Sequence, residues 1–239
     1  MKTVLHKANS RGHANHGWLN SYHSFSFGSY HQNDRMHFGA LRVLNDDTVA
    51  AGMGFGKHPH DNMEIVSIPL FGNLQHQDST GRNEIIRAHD VQIMSAGSGI
   101  AHSEMNASKT EEVKFLQIWV FPKLKNIEPR YEQKSFLPEN RLNQILTVVA
   151  PDNENAVFIN QDAWFSLGHF SKDLSIEYPI KKTGNGVYLF VLSGSVSVNG
   201  TVLDNRDGLG VSETAILTIV ANTESELLLI DIPMDKIGD

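Results

Sequence analysis

Short runs of alternating apolar and polar residues, or of continuous apolar residues, recur along the whole chain and are separated by turn-forming residues. In the first half they cover residues 38–44, 64–70, 91–94 and 113–121. None is long enough to carry the three-to-four spacing of a typical helix, so the pattern predicts strands. Asn45-Asp46-Asp47, Gly72-Asn73 and Ser79-Thr80-Gly81 are expected to reverse the chain, through local side-chain hydrogen bonds or positive φ. Between 122 and 140 the pattern lapses, and Pro122, Pro129 and Pro138 disfavour continuous strand pairing. Strand-like runs then return at 145–149, 163–170, 187–192, 195–198, 215–220 and 226–232. The expectation is an all-β protein with a boundary near Pro138, giving units 1–137 and 138–239.

The halves share an outline. An apolar run ends at Gly72 or Gly194, a hairpin follows, and an acidic turn at Asp90 or Asp207 precedes further strands. This suggests a degenerate internal repeat: two β-sandwich or jelly-roll barrels that pack face to face to bury their apolar sheet faces.

Composition narrows the class. With 239 residues, 40% of them hydrophobic, the chain can close ordinary globular cores. Lys and Arg number 20 against 27 Asp and Glu, a net charge of −7, which argues against a phosphate-neutralising surface and hence against nucleic acid as a partner. The small basic cluster Lys123, Lys125 and Arg130 is interrupted by Glu128 and reads as solvated surface. No cysteine is present, so any metal must be held by histidine and carboxylate. No segment has the length and apolarity of a secretion signal or a membrane span, so a soluble cytoplasmic protein is expected.

The candidate chemistry lies in two short pairs. In Gly56-Lys57-His58-Pro59-His60, residues two apart share one strand face, so both imidazoles can converge on one ion. With 12 histidines in the chain, about 0.6 such pairs arise by chance, so this spacing alone decides nothing. The second pair, His102 and Glu104, follows the glycine-rich turn Gly97-Ser98-Gly99 and has the same parity. Three imidazoles and a carboxylate suit a transition metal such as Fe, Ni, Cu, Mn, Co or Zn better than Ca or Mg.

Other polar residues have plainer readings. His13 and His16 lack a helix to align them and are assigned to capping or hydrogen bonding. His23, Phe25 and Phe27 alternate as in half-buried packing between sheets, with Phe25 or Phe27 able to wall a pocket. His76 and Asp78 are read as a hairpin-stabilising hydrogen bond. Gln117 would cost free energy if buried unpaired and could orient a ligand or water, and its role is left unassigned.

The resemblance to a known family rests on Arg11-Gly12-His13-Ala14-Asn15-His16-Gly17-Trp18, Ser24-Phe25-Ser26-Phe27, His76-Gln77-Asp78-Ser79 and the stretch from Gln92 to Glu104. Together they resemble the pirin family of cupins and its bacterial quercetinase-like members. Gly52, His58-Pro59-His60, Glu64 and Gly72 are similar to the first cupin motif, and Gly99, His102 and Asn106 to the second, although Gly97 stands where cupins usually have proline. The resemblance implies a bicupin fold and one divalent metal per chain. Iron(II) comes first, and nickel, manganese, cobalt, copper or zinc are alternatives. It also implies His58, His60, His102 and Glu104 as ligands, with Glu64 in a supporting role.

The implied activity is that of a quercetin 2,3-dioxygenase, in which O2 opens the central ring of a flavonol or related aromatic enediol and carbon monoxide leaves. Glu104, a carboxylate that can shift its binding mode, is the expected proton acceptor. The alternative is a non-enzymatic regulatory protein whose metal state alters a surface for a transcription factor or metabolic enzyme. A purely structural metal ranks last, because the chain already has apolar residues enough to fold. Counting from the repeat landmarks sets Ile180 and Lys182 opposite His58 and His60, and Ile219 and Ala221 opposite His102 and Glu104, so the second half is expected to bind no metal.

Overall fold

The computed structural model describes residues 1–235. Its strands form two seven-stranded and two four-stranded sheets, with three short 3-10 turns and no α-helix among the described residues. Alternation sets the half-buried strands: along Ile100–Asn106 the even-numbered side chains are buried and the odd-numbered ones are partly exposed. Continuous apolar runs give the strands covered on both faces, such as Asn185–Ser193 and Ser225–Pro233.

In the first half, Val113–Val120 lies mid-sheet between Glu64–Phe71 and Leu41–Val49. The facing sheet runs Gly54–His60, Ile100–Asn106, Asn73–Asp78, Asn83–Arg87. The second half repeats this plan around Ser225–Pro233, with Ser175–Pro179 and Ile216–Ala221 in its small sheet. The two large sheets pack against each other through a shared core in which Val66, Ile93 and Ile118 meet Phe165, Tyr188, Phe190 and Ile230. The strand Lys2–His6 pairs with Gly208–Ser212, so the chain starts in the large sheet of the second half before it builds the first.

The repeat is visible at its turns. Gly72 has φ +74° and Gly194 has φ +84°, and at both positions a Cβ would fall within 3 Å of a carbonyl oxygen, that of Glu112 or Glu224. Both positions therefore require glycine.

Three sequence expectations change. Asn45-Asp46-Asp47 is not a turn, because all three residues lie inside Leu41–Val49, paired on both sides. Asn45 and Asp47 are buried and line the interior cavity of the first sandwich, where Ser21 donates to Asp47 and the Asn45 Oδ1 has no hydrogen-bond partner. Within 122–140 the chain still forms the strand Arg130–Ser135, paired along Asp90–Ser95 only. As an edge strand between Pro129 and Pro138 it tolerates prolines at its margins. The repeat register also moves. Leu74 and Val196 each follow their glycine by two residues and pair with Asn106 and Ala221 respectively. The residues matching His58, His60, His102 and Glu104 are therefore Tyr178, Ile180, Leu217 and Ile219. The offset arises because the segment from Asp207 to Leu217 is two residues shorter than that from Asp90 to His102.

The interiors of the two sandwiches differ accordingly. Tyr178, Leu217 and Ile219 belong to a continuous apolar core that fills the second. In the first, apolar packing splits into one cluster around Leu19, Leu74 and Phe115 and another around Ile65, Met94 and Ile100. The strand Ile100–Asn106 runs from one cluster toward the other and places His102 and Glu104 between them.

Candidate metal centre

Gly54–His60 pairs antiparallel with Ile100–Asn106 so that His58 stands opposite His102, and a register shift follows between His102 and Glu104. Strand parity turns three imidazoles toward one point. The ring centroids of His58 and His60 lie 4.8 Å apart, those of His58 and His102 4.6 Å, and those of His60 and His102 5.0 Å. One nitrogen from each ring falls within 4.8 Å of the other two.

The hydrogen bonds leave these nitrogens free. His58 Nδ1 donates to the Gly56 carbonyl at 2.7 Å, which directs its bare Nε2 away from the backbone. His60 Nε2 and His102 Nε2 are buried and have no hydrogen-bond partner. Such orphaned acceptors are costly unless something fills the point they face. Burial, reinforced by the neighbouring imidazoles, lowers His60 to about 4 and His102 to about 3. Both rings are therefore neutral near pH 7, the form that ligates a metal. Partnerless nitrogens on neutral rings fit a transition metal.

Glu104 is buried beside this trio. Ser67 Oγ donates to its Oε1 at 2.7 Å and Gln117 Nε2 to its Oε2. Its carboxylate groups with His102 and His76, overlapping the three-histidine cluster at His102. Gln117, left unassigned by the sequence, thus holds Glu104, and its own Oε1 accepts from Trp119 Nε1 at 3.3 Å.

A cavity of about 490 Å³ opens onto the cluster, walled by Leu19, Phe27, Phe55 and Trp119. This is the size of a small-molecule site. Asn45, Asp47 and His23 form its polar side. Ser21 Oγ donates to Asp47 and lies 2.8 Å from His23 Nε2. Burial, with the nearby charges of Asp46 and Glu104, raises Asp47 to about 7 despite the Ser21 hydrogen bond. Asn45 and Asp47 escaped the sequence reading because Asn-Asp-Asp imitates a turn. Their signal was the parity they share with Leu41, Val43 and Val49, which places all five on one buried face.

The remaining candidates fall elsewhere. Glu64 accepts from Ser95 Oγ at 2.8 Å and the Asn160 amide at 3.1 Å, which ties the two halves together, and it lies outside the histidine cluster. His13 bonds Asn20 at 2.6 Å and stacks on Tyr22 at 4.6 Å. His16 lines the cavity. Phe25 packs against Tyr188 at the junction of the halves, whereas Phe27 walls the cavity, 5.4 Å from Trp119. His76 bonds Asp78 at 3.0 Å, and its ring also reaches His102.

Two cupin-like sandwiches, of which only the first carries a histidine cluster among the described residues, define a bicupin with a metal-type centre in its first half. The chain belongs to the pirin family: that family's profile matches residues 4–120, and the quercetinase C-terminal cupin domain matches residues 147–232. It is 43% identical to a quercetin 2,3-dioxygenase of Escherichia coli K12 over 230 residues, 96% of this chain and 98% of that protein. It is 40% identical to a pirin-like protein of Caulobacter vibrioides over 222 residues, 92% of this chain and 95% of the other. The crystal structure of the bacterial pirin YhhW of Escherichia coli in complex with nickel(II) matches with a TM-score of 0.92 at 42% identity, covering 97% of this chain and 99% of that one. A quercetin 2,3-dioxygenase from Acinetobacter baumannii, 21% identical, shares the fold with a TM-score of 0.77, covering 99% of this chain and 88% of that one.

Proposed function

We propose that this chain is a metal-dependent dioxygenase of the quercetin 2,3-dioxygenase type, with His58, His60, His102 and Glu104 holding one divalent metal. The observation that carries the reading is the partnerless nitrogens of His60 and His102 at the end of a cavity walled by Phe27, Phe55 and Trp119. A roomy aromatic cavity beside the cluster favours an enzyme over the regulatory alternative, which requires a closed site beneath an apolar patch. Similarity to proteins named quercetin 2,3-dioxygenase supports a flavonol-like substrate and O2. Iron(II) is the first metal to test, and the nickel(II) complex of the YhhW relative supports a broad choice that also includes manganese, cobalt, copper and zinc.

The bound metal would supply Lewis acidity and redox chemistry beside the substrate. The protein's own groups do the rest. Phe27, Phe55 and Trp119 exclude water and clamp a flat aromatic ring system near the histidines. Glu104 accepts the proton of the flavonol 3-hydroxyl on a lone pair that the bonds from Ser67 and Gln117 leave free. Gln117 holds the carboxylate in place, since Trp119 fixes its amide.

The test is anaerobic reconstitution with Fe, Ni, Mn, Co and Cu separately, followed by O2 and a flavonol. Flavonol consumption with carbon monoxide release is expected with at least one metal, and Glu104→Gln should lose at least 100-fold of that rate. Failure of both readouts with every metal would return the regulatory reading, and wild-type turnover by Glu104→Gln at full metal occupancy would exclude Glu104 as base and ligand.

A further inference from the structure

Behind His102, on the side away from the cavity, stands a buried pair that the proposed chemistry leaves unused. His76 lies on Asn73–Asp78, the strand next to Ile100–Asn106, with Glu104 opposite His76 and His102 opposite Asp78. The side chains of His76 and Asp78 are both fully buried. The His76 and His102 rings lie 5.3 Å apart with their Nδ1 atoms 3.5 Å from each other, and His76 Nε2 lies 3.0 Å from Asp78 Oδ2. Tyr131 packs on the His76 ring at 4.8 Å. Asp78 Oδ1 is occupied by the Thr80 amide at 2.8 Å and the Thr80 hydroxyl at 2.5 Å, which leaves Oδ2 for His76.

The donors and acceptors along this line permit one arrangement for neutral rings. An ionised carboxylate only accepts, so His76 carries its hydrogen on Nε2 and presents a bare Nδ1 to His102. Two bare nitrogens at 3.5 Å would repel, so His102 carries its hydrogen on Nδ1. Its Nε2 is then bare, and this is the buried, partnerless atom grouped with His58 and His60. His58 reaches the same state more simply, through the Gly56 carbonyl.

We propose that Asp78 and His76 are positioning residues that, through a carboxylate–imidazole–imidazole line, hold His102 in the tautomer and orientation needed to bind a metal through Nε2. The inference rests on the metal-centre reading above. Partners of this kind behind a metal-binding histidine typically change affinity by about 10–100-fold. It also gives the His76-Gln77-Asp78-Ser79 segment a role beyond closing a hairpin.

The test uses the full chain. Long-range proton–nitrogen correlation spectra of the metal-free, nitrogen-15-labelled protein report the His102 tautomer, and chelator competition reports nickel(II) affinity and stoichiometry. Wild type should show His102 protonated at Nδ1 and bind one nickel(II). Asp78→Asn, nearly isosteric, and His76→Leu should mix the His102 tautomers and weaken nickel(II) binding by about 10–100-fold. His76→Asn leaves a comparable void but offers an Oδ1 acceptor near the place of Nδ1, so it should stay within a few-fold of wild type. A merely structural role would lower the melting temperature of His76→Asn and His76→Leu alike and leave their affinities equal. That equality, or His102 protonated at Nε2 in wild type, overturns the proposal. A second nickel(II) bound by His76, His102 and Glu104 also overturns it, because His102 Nδ1 would then be its ligand. The tautomer is read without metal, so a wild type that binds no nickel(II) but shows the expected tautomer sinks the metal-centre reading while the Asp78–His76–His102 line stands.

Discussion

Asp47 shows what one residue's surroundings do to its chemistry. Its carboxyl is raised to about 7, chiefly by burial, whereas an exposed aspartate titrates near 3.8. The folded state therefore keeps a proton that the unfolded chain gives up, so the stabilising contribution is whole below pH ~4 and is lost as pH rises through about 7. Asp47→Asn keeps an acceptor for Ser21 and cannot ionise. Its stability relative to wild type should rise between pH ~4 and ~7 by up to about 1.4 kcal/mol per pH unit. Urea midpoints at pH 4.5, 6 and 7.5 check this, and a pH-independent difference would refute it. The same residue marks the limit of reading polarity from sequence. That His58, His60 and His102 come together was legible because parity on two strands is local, whereas Asn45 and Asp47 read as a turn. Only the neighbouring strand that carries Ser21 shows why an acid can remain inside.

At the scale of elements, what was missed lies in partners distant along the chain. Runs such as Glu64–Phe71 and Val113–Val120 announce themselves, because both are apolar almost throughout and central. Lys2–His6 does not: four of its five residues are exposed, and its partner Gly208–Ser212 lies some 200 residues away. It is held at one end by His6, whose Nδ1 lies 2.9 Å from the Tyr188 hydroxyl and whose ring burial lowers to about 4. At the other end Lys2 pairs with Glu213 on the surface, a contact of small worth. Removing residues 1–6 would strip the edge of Gly208–Ser212 and leave the Tyr188 hydroxyl without His6. A drop in melting temperature of roughly 5–10 °C is expected, together with self-association through the bared edge, seen by size-exclusion chromatography. His6→Phe should lower the melting temperature by a smaller amount and leave the protein monodisperse, because the strand itself still covers the edge.

For the whole molecule, the two halves have divided one plan between them. The second sandwich packs Tyr178, Leu217 and Ile219 where the first presents histidines and a glutamate, so one interior is solid and the other keeps a cavity. The cost of that cavity is shared, because the large sheets meet in one continuous core and Glu64 reaches the Asn160 amide across the junction. Coupling through such a core should make unfolding a single cooperative event despite the repeat. A ligand held only by the folded first half must then protect the second half as well. At a free metal concentration of 100 times Kd the stabilisation is about 2.7 kcal/mol. That increment should appear in the hydrogen exchange of the amides of Asn185–Ser193, a buried strand paired on both sides and so expected to open only on global unfolding, as fully as in those of Val113–Val120. Protection confined to the first half would show that the sheets are docked and not cooperative, and that the apolar core of the second sandwich folds on its own.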